Sequence, residues 1–446
     1  MEPMRYDESN EKLRTSQQER ESSARTYPRS LPFAVDHAQG LELRDADGNT
    51  YLDCLAGAGT LVLGHNHPKV TQEVERLLTE DRPLHTLDIT TPEKEAFVDA
   101  VFESLPDEFT ESAKIQFCSP AGTDAVEAAI KLVKTATGNK PVLGFQGGYH
   151  GMTNGALSLM GDKATKEPVQ GLMPGTHHLP FPDPYRHPFG LDGQNHQPVT
   201  AFIERVLTDP KSGVTSPAGM IFEPVQGEGG VNPAPEEWIR DIRRLTRQEE
   251  IPLIVDEIQS GMGRTGEMWA FEHADIIPDV VTCSKGIGGG LPLAVVIYDD
   301  SLDEWEPGAH AGTFRGHQLA MAAGRATIRE ILDNDLDDHA AQMGERFLTR
   351  LQSLESQFER IGDVRGRGLM LGVEFVDEHD DGDDPPDPNG DLAAAVKAEC
   401  FERQLVIETG GRDSAVARFL PPLTVSPNEI DEVATRFEEA VTTVLG

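Results

Sequence analysis

The feature that most constrains folding is a rhythm between Lys114 and Val295. A short apolar run, a loop and a helical pattern follow one another repeatedly. The runs cover 114–118, 141–145, 219–222, 251–255, 280–283 and 293–297. Runs this short, bounded by loops, read as buried strands. Strands that alternate with helices build a mostly parallel sheet with helices on its faces. The expected fold class is therefore α/β.

The rest of the chain follows other patterns. Residues 1–26 are polar with no helical or strand period and read as a loose arm. A hairpin is expected over 41–54, turning at Asp47-Gly48-Asn49. A glycine-rich loop over 56–64 then leads to a helix starting near Pro68. After Ala320 come a helix over 319–331, a second toward Phe358, a strand pair over 362–375, an acidic proline-rich surface loop over 377–391 and a final helix over 427–445. The expected division is an arm at 1–26, a segment at 27–70 joining the small domain, a large α/β domain at 71–325 and a small α+β domain at 326–446.

Composition narrows the function classes. The formal net charge is −37, from 76 acidic and 39 basic residues. That argues against nucleic acid as a partner and predicts self-repulsion that salt would screen, as in a salt-rich cytoplasm. No apolar run approaches the roughly 18 residues of a membrane helix, and the first residues lack the apolar core of a signal peptide. Cys54, Cys118, Cys283 and Cys400 lie far apart with no CxxC pair, which fits a reducing cytoplasm better than disulfides or zinc. His65 and His67 are spaced like metal ligands but lack a third nearby, and no metal site is expected.

Several residues just past expected strand ends carry chemistry. Lysine is scarce, 12 in all, yet Lys285 sits after an apolar run and before Gly286-Ile287-Gly288-Gly289-Gly290. A desolvated lysine amine is suited to Schiff-base chemistry. Gly122 and Thr123 fall where a helix should start, a site that favours an anion. Tyr149, held in Gly147-Gly148-Tyr149-His150-Gly151, can stack on a flat ring. Asp256 ends an apolar run, where a buried carboxylate needs a cationic partner. Thr313 offers another hydroxyl. Arg418, in an apolar strand, wants a carboxylate, with Glu223 as its expected resting partner. A phosphate site, a stacking ring, a carboxylate for a pyridine nitrogen and a lysine for an aldehyde together describe pyridoxal 5′-phosphate.

Over roughly 30–440 the chain resembles the class III (ω-) aminotransferases of the fold type I pyridoxal-phosphate superfamily. The motifs are AGTDAVEAAIK, GGYHG, EPVQGEGG, IVDEIQSGMGRTG, CSKGIGGGLPLA, GTFRGHQLA and RFLPPLTV. Within the class, RTYPRSLPFA, CLAGAGTLVLGHNHP, GALSLMG, FPDPYRHPFG and VIETGGRDSAVARFLPPL look most like the L-2,4-diaminobutyrate:2-oxoglutarate 4-aminotransferases. The same class motifs would serve an ornithine or 4-aminobutyrate enzyme; a non-catalytic cofactor-binding protein is the other alternative. The resemblance implies that Lys285 carries the cofactor and Asp256 pairs with its ring nitrogen. Gln259 would reach the ring hydroxyl and Tyr149 stack on the ring. Gly122 and Thr123 would hold the phosphate, with Thr313 completing the cup from a partner subunit of a homodimer. Arg418 would take a substrate carboxylate, alternating with Glu223. Pro120-Ala121 departs from the serine or asparagine-serine of many class members and shifts the phosphate load onto backbone amides and Thr123.

Overall fold

The computed structural model describes residues 9–191, 195–378 and 385–446. Its central element is a seven-stranded sheet. Read across, the strands are Ala113–Phe117, Val295–Asp299, Val280–Cys283, Leu253–Asp256, Gly219–Phe222, Val142–Phe145 and Thr176–Leu179. Only Val295–Asp299 runs antiparallel to its neighbours. The α/β expectation holds, and all six expected strands lie in this sheet. The seventh, Thr176–Leu179, is an edge strand whose Thr-His-His-Leu sequence has no apolar run to betray it. It is held by parallel pairing with Val142–Phe145.

The strands are buried on both sides, with Val142, Leu143, Met220, Ile221, Leu253, Ile254, Val255, Val280 and Val281 fully inaccessible. Helix Gly122–Thr137 covers one face through Ala125, Val126, Ala129, Leu132 and Val133. Helix Glu236–Gln248 buries Trp238, Ile239, Ile242 and Leu245 in the other cluster.

A second, antiparallel sheet contains Ile361–Arg367, Met370–Phe375, Val416–Phe419 and Glu408–Gly410. Helices Leu336–Glu355, Gly390–Glu402 and Pro427–Leu445 accompany it. The last is closed by Ser426 and Glu429, which cap each other's backbone N–H groups. A third sheet joins the expected hairpin strands Glu42–Asp45 and Thr50–Asp53 to Leu405–Val406. Of the expected acidic loop over 377–391, residues 379–384 lie outside the described residues, and Gly390 already begins a helix.

The loose-arm expectation is corrected in part. Residues 1–8 lie outside the described residues, but Asn10–Arg20 is a helix. It buries no side chain, so no apolar period marks it. It rests instead on good helix formers and on Asn10, whose backbone N–H bonds Asp47, whose amide donates to Asp45 and whose carbonyl accepts Ala34 N–H.

Candidate active site

The carboxyl ends of the parallel strands converge on one site, where ligands bind in open α/β sheets. Asp256 is the last residue of Leu253–Asp256 and is 3% exposed. Its carboxylate accepts from His150 Nδ1 at 2.7 Å, Thr282 Oγ1 at 3.1 Å and Ile258 N–H at 3.1 Å. Three donors from three segments hold it in one orientation. Burial opposes a charge on His150, but the bond to Asp256 outweighs it and raises the imidazole above its ordinary value. His150 is fully buried behind Asp256.

Lys285 follows the next strand and opens a short 3₁₀ turn with φ of 50°. That left-handed conformation costs a non-glycine residue about 1–2 kcal/mol. Its amine makes no hydrogen bond among the described residues. Burial, and next Glu228 in the opposite sense, shape its basicity; burial wins, and the amine lies below the usual lysine range.

The helix start expected at Gly122 is present, the place proposed for an anion. Helix Gly122–Thr137 begins at Gly122. Thr123 Oγ1 meets Thr153 Oγ1 at 2.6 Å and takes Thr153 N–H. Gly151, at φ of 118°, lies so close that a Cβ would stand 2.5 Å from Thr123, so only glycine permits this approach. Tyr149 is 36% exposed. Gln259 donates to Ala58 O at 3.1 Å, in the glycine-rich loop after the hairpin.

The expected Glu223–Arg418 pair is not present. Glu223, 7% exposed, accepts Tyr149 N–H at 2.8 Å and Gly227 N–H at 3.1 Å. It staples two glycine loops together. Burial pushes its carboxyl up to about 7, aided by repulsion from Asp256. Arg418 instead donates from Nη2 to Glu228 Oε1 at 2.9 Å. The physical reason is position. Glu223 directly follows a buried strand and turns inward, whereas Glu228 stands on the loop that crosses toward Val416–Phe419. Burial raises the Glu228 carboxyl, but Arg418 and Lys285 outweigh it and leave it below the usual range. Arg418 keeps Nε and Nη1 buried with no hydrogen-bond partner. Gly410 makes room beside it, since a Cβ there would stand 2.9 Å from Nε.

Thr313 is exposed and opens the turn Thr313–Gly316. Its side chain makes no hydrogen bond among the described residues. His65 bonds Asp53 at 2.8 Å, and His67 precedes helix Pro68–Thr79. Sequence reasoning missed two site residues. His150 adjoins Tyr149 and could have been found as the inward-facing neighbour of an outward-facing ring. Glu228 could have been found as a lone carboxylate among glycines.

These groups fit a flat, phosphate-bearing pyridine. The helix start offers N–H groups, Tyr149 a partly exposed ring, Asp256 an oriented anion and Lys285 a half-buried amine with no hydrogen bond among the described residues.

The aminotransferase class-III family model matches residues 23–441. A diaminobutyrate–2-oxoglutarate aminotransferase of Rhizobium meliloti (strain 1021) is 54% identical over 94% of this chain and 90% of its own. One of the same name from Haemophilus influenzae is 45% identical over 98% and 96%. Among solved structures, a thermostable (S)-enantioselective omega-transaminase from Thermomicrobium roseum superposes with a TM-score of 0.88 at 27% identity, covering 98% of this chain and all of that one. Motifs, sheet order and site geometry agree with these relationships: the chain belongs to the class-III aminotransferases.

Proposed function

We propose that this chain is a pyridoxal-phosphate-dependent aminotransferase moving the 4-amino group of L-2,4-diaminobutyrate to 2-oxoglutarate. The products are L-aspartate 4-semialdehyde and L-glutamate, and the exchange is reversible. The two relatives named for this reaction support the substrate pair. The observation that carries the chemistry is the half-used arginine, Arg418, bonded to Glu228 with two buried N–H groups left over.

Bound at Lys285, the cofactor supplies an electron sink for the carbon that loses its proton. Asp256 holds positive charge at the ring nitrogen, and His150, Thr282 and the Ile258 amide keep its carboxylate aimed there. Lys285, with its basicity lowered by burial, would be the base that takes the proton from the substrate carbon. Tyr149 stacks on the ring, Gln259 approaches the ring hydroxyl, and Gly122 and Thr123 take the phosphate. Glu228, in place of the expected Glu223, shields Arg418 while a cationic diamine is bound. When that pair parts, Arg418 grips the carboxylate of a 2-oxo acid with its free N–H groups. Glu223 acts by keeping Tyr149 in place.

The functional unit is a homodimer in which Thr313 meets the partner's phosphate cup. The large unit spans 71–325, and 27–70 joins 326–446 in the smaller one. The acidic surface suits a salt-rich cytoplasm; highest stability without added salt would remove that part of the reading. Among the described residues no helix is long and apolar enough to cross a membrane.

An absorbance spectrum tests the assignment. L-2,4-diaminobutyrate alone should move the visible band of the purified protein to the near ultraviolet, and 2-oxoglutarate should restore it. A band that stays unmoved with diaminobutyrate but responds to ornithine or 4-aminobutyrate would replace the donor.

A further inference from the structure

Positive charge is concentrated at one place remote from the active site. In helix Glu236–Gln248, Arg240, Arg243, Arg244 and Arg247 follow one another at spacings that share a helix face. They line a cavity of about 410 Å³, together with Glu108 and Asp275. The lining holds four guanidinium groups and two carboxylates, while Asp241, Asp279, Glu236 and Glu237 lie beside the same arginines outside the lining.

The cavity lies at the opposite end of the sheet from Lys285. Its wall includes Ile276 and Ile277, which lead into strand Val280–Cys283. Arg243 grips Asp279 through Nη1 and Nη2 at 2.5 and 2.8 Å, and Asp279 also takes Leu253 N–H at 2.7 Å. The cavity therefore abuts the amino ends of the two strands that present Asp256 and Lys285 at their carboxyl ends. At about 3.3 Å per residue, a four-residue strand separates the two sites by roughly 10 Å or more.

Each arginine keeps donors beyond those its partners in the chain take. Arg243 is 7% exposed, and its Nε is buried with no hydrogen-bond partner. Arg247 has no ion pair or side-chain hydrogen bond among the described residues. Arg240 reaches Glu236 and Glu237 only at 3.6 and 3.5 Å. Arg244 bonds Gln248 at 3.2 Å and Asp241 at 3.3 Å, contacts that contribute little at a surface. Clustered guanidinium groups with spare donors match an anion with many oxygens, each fork taking two.

We infer that this cavity is a binding site for a multiply charged phosphate group, free or as an ester, distinct from the cofactor's phosphate cup. Pyrophosphate is the probe. Holoenzyme, its cofactor cup filled, is titrated calorimetrically with inorganic pyrophosphate at constant ionic strength set by KCl. One saturable site per chain is expected, with no movement of the cofactor's visible absorbance. The double variant R244Q/R247Q should weaken binding at least tenfold. R205Q, on the neighbouring helix Gln197–Thr208, should leave it unchanged. Inorganic phosphate and a nucleoside monophosphate, titrated in parallel, distinguish the free anion from the ester. The proposal is overturned by an absence of saturable heat, by unchanged affinity in the double variant, or by equal loss in R205Q. Citrate binding as tightly as pyrophosphate would overturn the phosphate assignment.

Discussion

The two ends of the central sheet handle buried charge in opposite ways. At the amino end, Arg243 and Asp279 form a two-pronged bond, and the same Asp279 caps the start of Leu253–Asp256 through Leu253 N–H. That network ties one strand to the next. At the carboxyl end, the anion is fully engaged and the cations are not. Asp256 takes three hydrogen bonds, while Lys285 takes none and Arg418 leaves two N–H groups unpartnered. An unsatisfied buried donor costs about 1–3 kcal/mol. The carboxyl end bears that cost on the groups that meet ligands; at the amino end Arg243 leaves only its Nε unpartnered, and its two-pronged bond to Asp279 ties the strand starts together.

If that contrast is right, substitutions at the carboxyl end should strike activity and those at the amino end stability. Lys285→Ala should have the largest effect. Losing the proton-transferring amine should lower the rate by about 10²–10⁴-fold and remove the protein's own visible band, with the thermal midpoint not reduced. A variant that keeps its band and its rate would undo the reading of Lys285.

Arg418→Ala is next. It should weaken the 2-oxoglutarate half-reaction by at least about 30-fold, corresponding to roughly 2 kcal/mol for a lost buried charged contact, and spare the diaminobutyrate half. Single-turnover rates measured separately for each half would decide, and equal losses would rule out a switch. Glu228→Gln should narrow the gap between the two halves, whereas Glu223→Gln should not.

His150→Phe removes a partner of Asp256 without touching substrate. A drop in kcat of tens of fold is expected, together with a change in the pH profile. The His150 proton is held more tightly in the folded chain than in the unfolded one. Its contribution is therefore whole below about 6.5 and is lost as pH rises through the raised folded value. The alkaline limb of kcat should move in the variant; an unmoved limb would make His150 merely a packing residue.

At the amino end, Asp279→Asn should cost about 2 kcal/mol of stability, the order of a charged hydrogen bond, with kcat and the visible band intact. Denaturant midpoints and steady-state rates together test this. A loss of kcat with unchanged stability would erase the distinction between the two ends.

The smallest effect concerns Glu257, buried beside Asp256. It is raised to about 7 by burial, against the opposing bonds from Ser260 and the Phe271 amide. The folded chain thus binds this proton more tightly than the unfolded one. Stability from it is complete below about 4.5, the ordinary value, and falls as pH rises through 7. The urea midpoint should decline between about pH 4.5 and 7, and Glu257→Gln should flatten part of that decline.

Much of this was legible in the residues. Apolar runs marked six strands of the central sheet, and each functional candidate lay near a strand end or a glycine turn. Strand Thr176–Leu179 escaped because its pairing comes from a neighbour rather than from its own pattern. Helix Asn10–Arg20 escaped because it buries nothing, so it has no apolar stripe to read. Glu223 and Glu228 sit five positions apart in one motif, and nothing along the chain says which of them meets Arg418. His150 looked like a companion of Tyr149, yet the fold turns it inward to Asp256.

The sequence by itself determined the α/β class and the family, and it proposed Lys285, Asp256, Tyr149, Gly122 and Thr123 as site residues. Burial period, turn chemistry and strand ends are local properties, set by residues near one another in the chain. Only the tertiary structure decided that Arg418 pairs with Glu228, that Glu223 staples two loops, that His150 braces Asp256 and that four arginines face one cavity. Those are distances between segments far apart in sequence, and a few ångströms of placement separate a partner from a bystander.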